Sequence, residues 1–209
     1  MGALVEAGIE LSVCAVTERK PGAVMEVFRN EARINRIELE IDALAIDLLA
    51  LQQPVASNLR FIIAALKINS NLERMGDLSV NIAHSATSLI EGPAIAPIID
   101  IPLLAGLVQT MTRNSMDAFV ARDVDLAETV LASDDAVDSL RTTCFHQLVS
   151  FMKEDPAGIR QALHLLNVAR NLERLADHST NISEDVVFYV NGTDVRHRST
   201  FEQLNEHHQ

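Results

Sequence analysis

One segment of this 209-residue chain occurs twice. Residues 71–84 read Asn-Leu-Glu-Arg-Met-Gly-Asp-Leu-Ser-Val-Asn-Ile-Ala-His. One hundred positions later, residues 171–184 read Asn-Leu-Glu-Arg-Leu-Ala-Asp-His-Ser-Thr-Asn-Ile-Ser-Glu, and eight of the fourteen positions are identical. Ordinary composition gives roughly one such match. A duplication on this scale restricts the fold to two copies of one unit packed together. It also gives each copy the same carboxylates at the same spacing, Glu73/Asp77 and Glu173/Asp177.

The unit is helical. Apolar residues recur at helical intervals, and breaks fall at proline and glycine. The first helix spans 1–19, with Leu4, Ile9 and Val13 as core positions, and ends at Pro21-Gly22. A second covers about 22–52, with Val27, Ile34, Ile37, Ile41, Leu44 and Leu48 facing inward, and stops at Pro54. A third covers about 56–91, and residues 92–100, with two prolines, form a linker. The pattern then repeats over about 101–121, 124–153 and 157–190, the last closed by Asn191-Gly192. Three long helices with short breaks form an antiparallel bundle most simply. The expected fold is all-α: two tandem three-helix bundles, 1–92 and 100–192, each with its own core and related by a pseudo-two-fold, then a polar tail over 193–209.

Composition limits the partners. A formal net charge of −12 argues against nucleic acid, which needs a positive surface. No apolar run is long enough for a membrane span, and no basic-then-apolar leader is visible, so a cytoplasmic protein is expected. The two cysteines, Cys14 and Cys144, have neither metal-ligand spacing nor a disulfide framework and read as buried or half-buried thiols.

Positions i and i+4 share a helix face. Glu73, Asp77 and Asn81 therefore form one ladder, and Glu173, Asp177 and Asn181 its copy, each beside the apolar stripe. Like charges at this spacing cost a helix roughly a few tenths of a kcal/mol. Their offset is a metal ion, a basic partner, or arginines of the chain itself, Arg74 and Arg174 standing three residues before Asp77 and Asp177. Asp134 and Asp138 repeat the spacing on the fifth helix and face Glu173/Asp177 if the helices form a hairpin. Four such oxygens suit Mg²⁺, Mn²⁺ or iron, with Zn²⁺ also compatible. The first repeat has only Glu31 and Asn35 opposite its ladder, so weaker binding is expected there. Asn81 and Asn181 read as helix-to-helix bonds or helper ligands. His178 reads as a core-edge side chain. Arg60 and Arg160, also one hundred positions apart, read as partners of acids across the bundle.

These residues resemble the PhoU family of phosphate-transport accessory and regulatory proteins. The resemblance rests on the Leu-Glu-Arg-x-x-Asp-x-x-x-Asn-Ile segments at 72–82 and 172–182, Gln-Gln-Pro-Val-Ala-Ser-Asn-Leu-Arg at 52–60, Asp134-Asp135-Ala-Val-Asp138, and Tyr-Val-Asn-Gly at 189–192. It implies six helices in two bundles. It also implies surface metal clusters, of iron or zinc or alternatively magnesium or manganese, held by Glu73, Asp77, Asp134, Asp138, Glu173 and Asp177, with Glu31 in a degraded motif. Its implied partners are subunits of a phosphate ABC transporter and a sensor histidine kinase. The implied role is repression of phosphate-starvation genes when phosphate is plentiful, in the cytoplasm and at the inner face of the membrane through those partners. Apart from the resemblance, a homodimer is expected because dimerisation is common among helical proteins of this size. Asn35 and Asn58 stand where the family usually has Asp, and Ala176 where it has Gly. The chain also begins within the usual first helix, so a shorter or differently capped first bundle is expected.

Two other functions compete. A carboxylate-bridged di-metal oxidase needs Glu-x-x-His motifs aimed into the core, and no glutamate here has a histidine three residues later. A metal-free helical interaction module would leave the ladders as solvated faces. No nucleophile–base pair or glycine-rich phosphate loop points to an enzyme.

Overall fold

The computed structural model describes residues 1–94 and 98–194. Six α-helices follow in order: α1 Gly2–Thr17, α2 Pro21–Gln52, α3 Ala56–Glu91, α4 Ile101–Ala121, α5 Val124–Glu154 and α6 Ile159–Asn191. No strand occurs among the described residues. No helix among them is long and apolar enough to cross a membrane. The polar tail expected over 193–209 lies outside the described residues beyond Asp194.

Local chemistry sets the boundaries. Pro21 opens α2 at a position whose N–H needs no partner. Asp100 and Asp123 cap α4 and α5 by accepting from Leu103 N at 2.9 Å and Leu126 N at 3.0 Å. Gly192, at φ +73°, closes α6 in the left-handed region, which costs glycine little. α6 begins later than expected, because Pro156–Gly158 form a 3₁₀ turn pinned by Asp155 accepting from Ala157 N. α1 stops at Thr17, two residues early. The left-handed Arg19 (φ 53°) that follows donates to the carbonyls of Ile90 at 2.9 Å and Gly92 at 2.7 Å. Its guanidinium thus satisfies and charge-compensates the C-terminus of α3.

Helices α1–α3 pack as one antiparallel bundle and α4–α6 as the other. The two are not separate cores, however. The most extensive contact joins α3 to α6 across the repeats, α1 also touches α4, and one continuous apolar cluster runs through both bundles. The duplicated stripes meet there: Leu72, Met75 and Ile82 on α3, Leu172, Leu175 and Ile182 on α6, all buried. Buried Thr112 and Ser179 hydroxyls bond each other at 3.2 Å beside them.

The third helix of each bundle outruns its first. At 1.5 Å per residue, α1 spans about 24 Å against about 48 Å for α2. The distal half of the α2–α3 hairpin therefore has no third helix over it. Leu44, expected in the core, is 61% exposed, and Leu39, Ile46 and Leu51 are exposed near it. Leu4, Ile37, Ile41 and Leu48 are only half-buried, while Ile9, Val13, Val27 and Ile34 are buried as expected.

Candidate functional site

Both carboxylate ladders lie where the helical spacing puts them, on the outer edge of the core. Glu73 and Glu173 are half-buried; Asp77, Asp177, Asn81 and Asn181 are exposed. The hairpins bring a second set opposite each. In the second repeat, α5 presents Asp134 and Asp138 to Glu173 and Asp177. Partial burial, then the charges of Glu173, Asp134 and Asp138, push the Asp177 carboxyl up to about 6, with Arg174 opposing. Asp134 is raised for the same reasons, burial first and then Asp138, Asp135 and Glu173. The four carboxylates thus form one electrostatic unit whose members resist ionising together.

The first repeat has a similar arrangement with different charges. Glu73 is raised by burial, then by Asp77 and Glu38, with Glu31 contributing and Arg74 opposing. Glu38 is missing from the expected set, although it sits seven residues after Glu31, on the same face as Glu31 and Asn35. It restores the charge lost at Asn35. The second repeat carries Arg141 seven residues after Asp134, with its Nε 3.8 Å from Glu173 Oε1. The first cluster thus gains an acid beside Asn35, and the second gains a cation beside Glu173.

Arg74 and Arg174 form no ion pair among the described residues, so neither neutralises its ladder by direct contact. The Asn35 amide donates to Glu31 Oε1, and Asn35 Oδ1 is buried without a hydrogen-bond partner. A buried carbonyl oxygen without a partner costs free energy that a donor or a cation would relieve. The donor set, all oxygen and mostly carboxylate, fits a hard or borderline divalent ion. Among the described residues no three carboxylate, imidazole or thiol groups converge on one ligand sphere. Uptake of an ion therefore requires these side chains to rotate inward.

Other expected residues have structural roles. His178 is half-buried; its Nδ1 lies 2.8 Å from Asn71 Oδ1, tying α6 to α3. Burial, then Arg174 and Arg74, lowers its pKa and favours the neutral ring. Among the described residues Arg60 pairs with no acid: its Nε donates to the Tyr189 carbonyl at 3.3 Å, beside the Phe61–Phe119 stack. Arg160 is exposed. Cys14 is half-buried and Cys144 buried, both unbridged. His207 and His208, which by sequence could bind metal adventitiously, lie outside the described residues.

Comparison with known proteins follows the same two-fold division. The family model for the PhoU domain matches residues 1–86 and again 101–186. The phosphate-specific transport system accessory protein PhoU homolog of Pseudomonas putida is 39% identical over 198 residues, covering 94% of this chain and 77% of the relative. The crystal structure of PhoU from Pseudomonas aeruginosa matches with a TM-score of 0.89 at 36% identity, over 92% of this chain and 93% of that one. The phosphate transport system regulatory protein PhoU from Streptococcus pneumoniae matches at 0.85 and 26% identity, over 93% and 91%. With both halves matched and the fold shared over more than nine-tenths of its length, the chain belongs to the PhoU family.

Proposed function

We propose that this protein is a non-enzymatic regulator of phosphate homeostasis that binds metal ions through its two carboxylate clusters. Its relatives are named as accessory proteins of a phosphate-specific transport system, and the likeness to them spans nearly the whole chain. In this reading the protein works in the cytoplasm as a homodimer, recruited to the inner face of the membrane by a phosphate ABC transporter. It restrains uptake there, and it holds a sensor histidine kinase in its repressing state while phosphate is plentiful.

The observation that carries the metal reading is the crowding of like charge around Asp177, repeated around Glu73. Carboxylates kept together at an electrostatic cost need a cation to offset it. Asp134, Asp138, Glu173 and Asp177 would hold it in the second repeat. Glu31, Glu38, Glu73 and Asp77, with Asn35 Oδ1, would do so in the first. A bound ion supplies positive charge and cross-links the two helices of each hairpin. The clusters stand on the outer faces of α2–α3 and α5–α6 and not inside the bundles, which favours this reading over an oxidase.

The direct test is deletion of the gene in its host, with a phosphate-starvation reporter read in phosphate-rich medium. Derepression, reversed by the wild-type gene, supports the regulatory role. Unchanged reporter output overturns it.

A further inference from the structure

The α3–α6 seam has two ends related by the pseudo-two-fold, and they are built differently. At one end Lys67 Nζ bonds Asp185 Oδ1 at 2.9 Å, and the same ammonium lies 5.4 Å from the centre of the Phe188 ring. Asp185 is 6% exposed there. An ion pair and an aromatic ring fill that end. At the other end, the residues one hundred positions away are Asn167 for Lys67, Ser85 for Asp185 and Ser88 for Phe188. The ion pair and the ring are both gone, and these three smaller side chains line a cavity of about 420 Å³.

The charge of that cavity is opposite to that of the chain. Arg170 and Arg174, four residues apart on one face of α6, both line it, with His164 on α6 and His84 on α3. Among the described residues no carboxylate lines it, in a protein of net charge −12. Neither arginine forms an ion pair among the described residues. Two guanidiniums at this spacing repel. His84 is steadied by the Phe28 ring, centroids 5.2 Å apart. Guanidinium forks, hydroxyls and amides facing one open cavity match a group with several oxygens and about two negative charges.

We propose that this cavity binds a tetrahedral phosphate group, either inorganic phosphate or a small phosphomonoester, with Arg170 and Arg174 as its main ligands. The site stands on its lining and does not depend on the metal clusters or on the regulatory role. The two arginines take the phosphate oxygens, and Ser88 and the imidazoles complete the shell, the Ser85 hydroxyl already donating to the Asn81 carbonyl at 3.2 Å. The opposite end of the seam binds nothing of the kind, because Lys67 is already taken by Asp185.

The test is calorimetric titration of the chelator-treated full chain with inorganic phosphate and, separately, with glycerol 3-phosphate, at low ionic strength. Chelation removes phosphate captured through metal. Saturable binding of either ligand is expected, and the stronger of the two identifies the source. Arg170→Gln/Arg174→Gln should bind at least about tenfold more weakly with unchanged helical circular dichroism. Arg170→Gln alone, at an exposed position, should weaken binding if the double variant misfolds. Ser85→Asp/Asn167→Lys rebuilds the opposite end's ion pair here and should abolish binding without loss of thermal stability. Absence of binding by both ligands, or wild-type binding in the arginine variants, overturns the proposal.

Discussion

Asp177→Asn should stabilise the metal-free protein. The carboxyl is raised from 3.8 to about 6 by partial burial and then by three neighbouring acids. That rise of roughly two units is worth about 3 kcal/mol at 1.36 kcal/mol per unit. The side chain is exposed, so solvent screening reduces the realisable gain to about 1 kcal/mol. Asparagine keeps the shape and removes the charge, so at pH 7.5 in chelator the variant should melt about 2–4 °C above wild type. The pH dependence has a definite sign. A carboxyl with a raised folded-state pKa binds its proton more tightly in the folded protein. The stability it contributes is full below 3.8 and is lost as the pH rises through about 6. Wild type should therefore gain on Asp177→Asn as the pH falls, with the gap about half closed at pH 5. Thermal melts at pH 7.5, 6 and 5 measure this. A variant melting at or below wild type at pH 7.5 would refute the idea that the cluster is held together against its own repulsion.

Other substitutions probe the frame around the site. Lys67→Met removes the hydrogen bond from the ammonium to nine-tenths-buried Asp185 and should cost about 1–3 kcal/mol in urea unfolding. Leu172→Ala opens a cavity at a fully buried position on the inter-repeat seam and should cost about 2–5 kcal/mol. Asp123→Ala removes the α5 cap and should cost about 1 kcal/mol. Leu44→Gln, at an exposed position past the end of α1, should change stability by less than about 0.5 kcal/mol.

Much of this was legible in the chain. Proline and glycine punctuation placed α3 to the residue, since Pro54, Gly92 and Pro93 leave the backbone few options. The ladders were legible because i,i+4 spacing fixes a face whatever the tertiary contacts. Leu44 was misplaced because periodicity reports which face is apolar, not whether a third helix is long enough to cover it. Glu38 and Arg141 were missed although each continues its acidic face at i+7. Only the hairpin register reveals that they stand at corresponding places with opposite charges. The merged core and the basic cavity depend on α3 meeting α6 across a hundred residues, which no local pattern encodes.

The sharpest measurement is the metal content of purified protein after reconstitution with Mn²⁺, Fe²⁺ or Zn²⁺ and gel filtration, by elemental analysis. Wild type should retain metal. Asp134→Ala/Asp177→Ala should lose the share of the second cluster, Glu31→Ala/Glu73→Ala that of the first, and the fourfold variant all of it. A fourfold variant that folds and retains as much metal as wild type would contradict the assignment of these carboxylates as ligands.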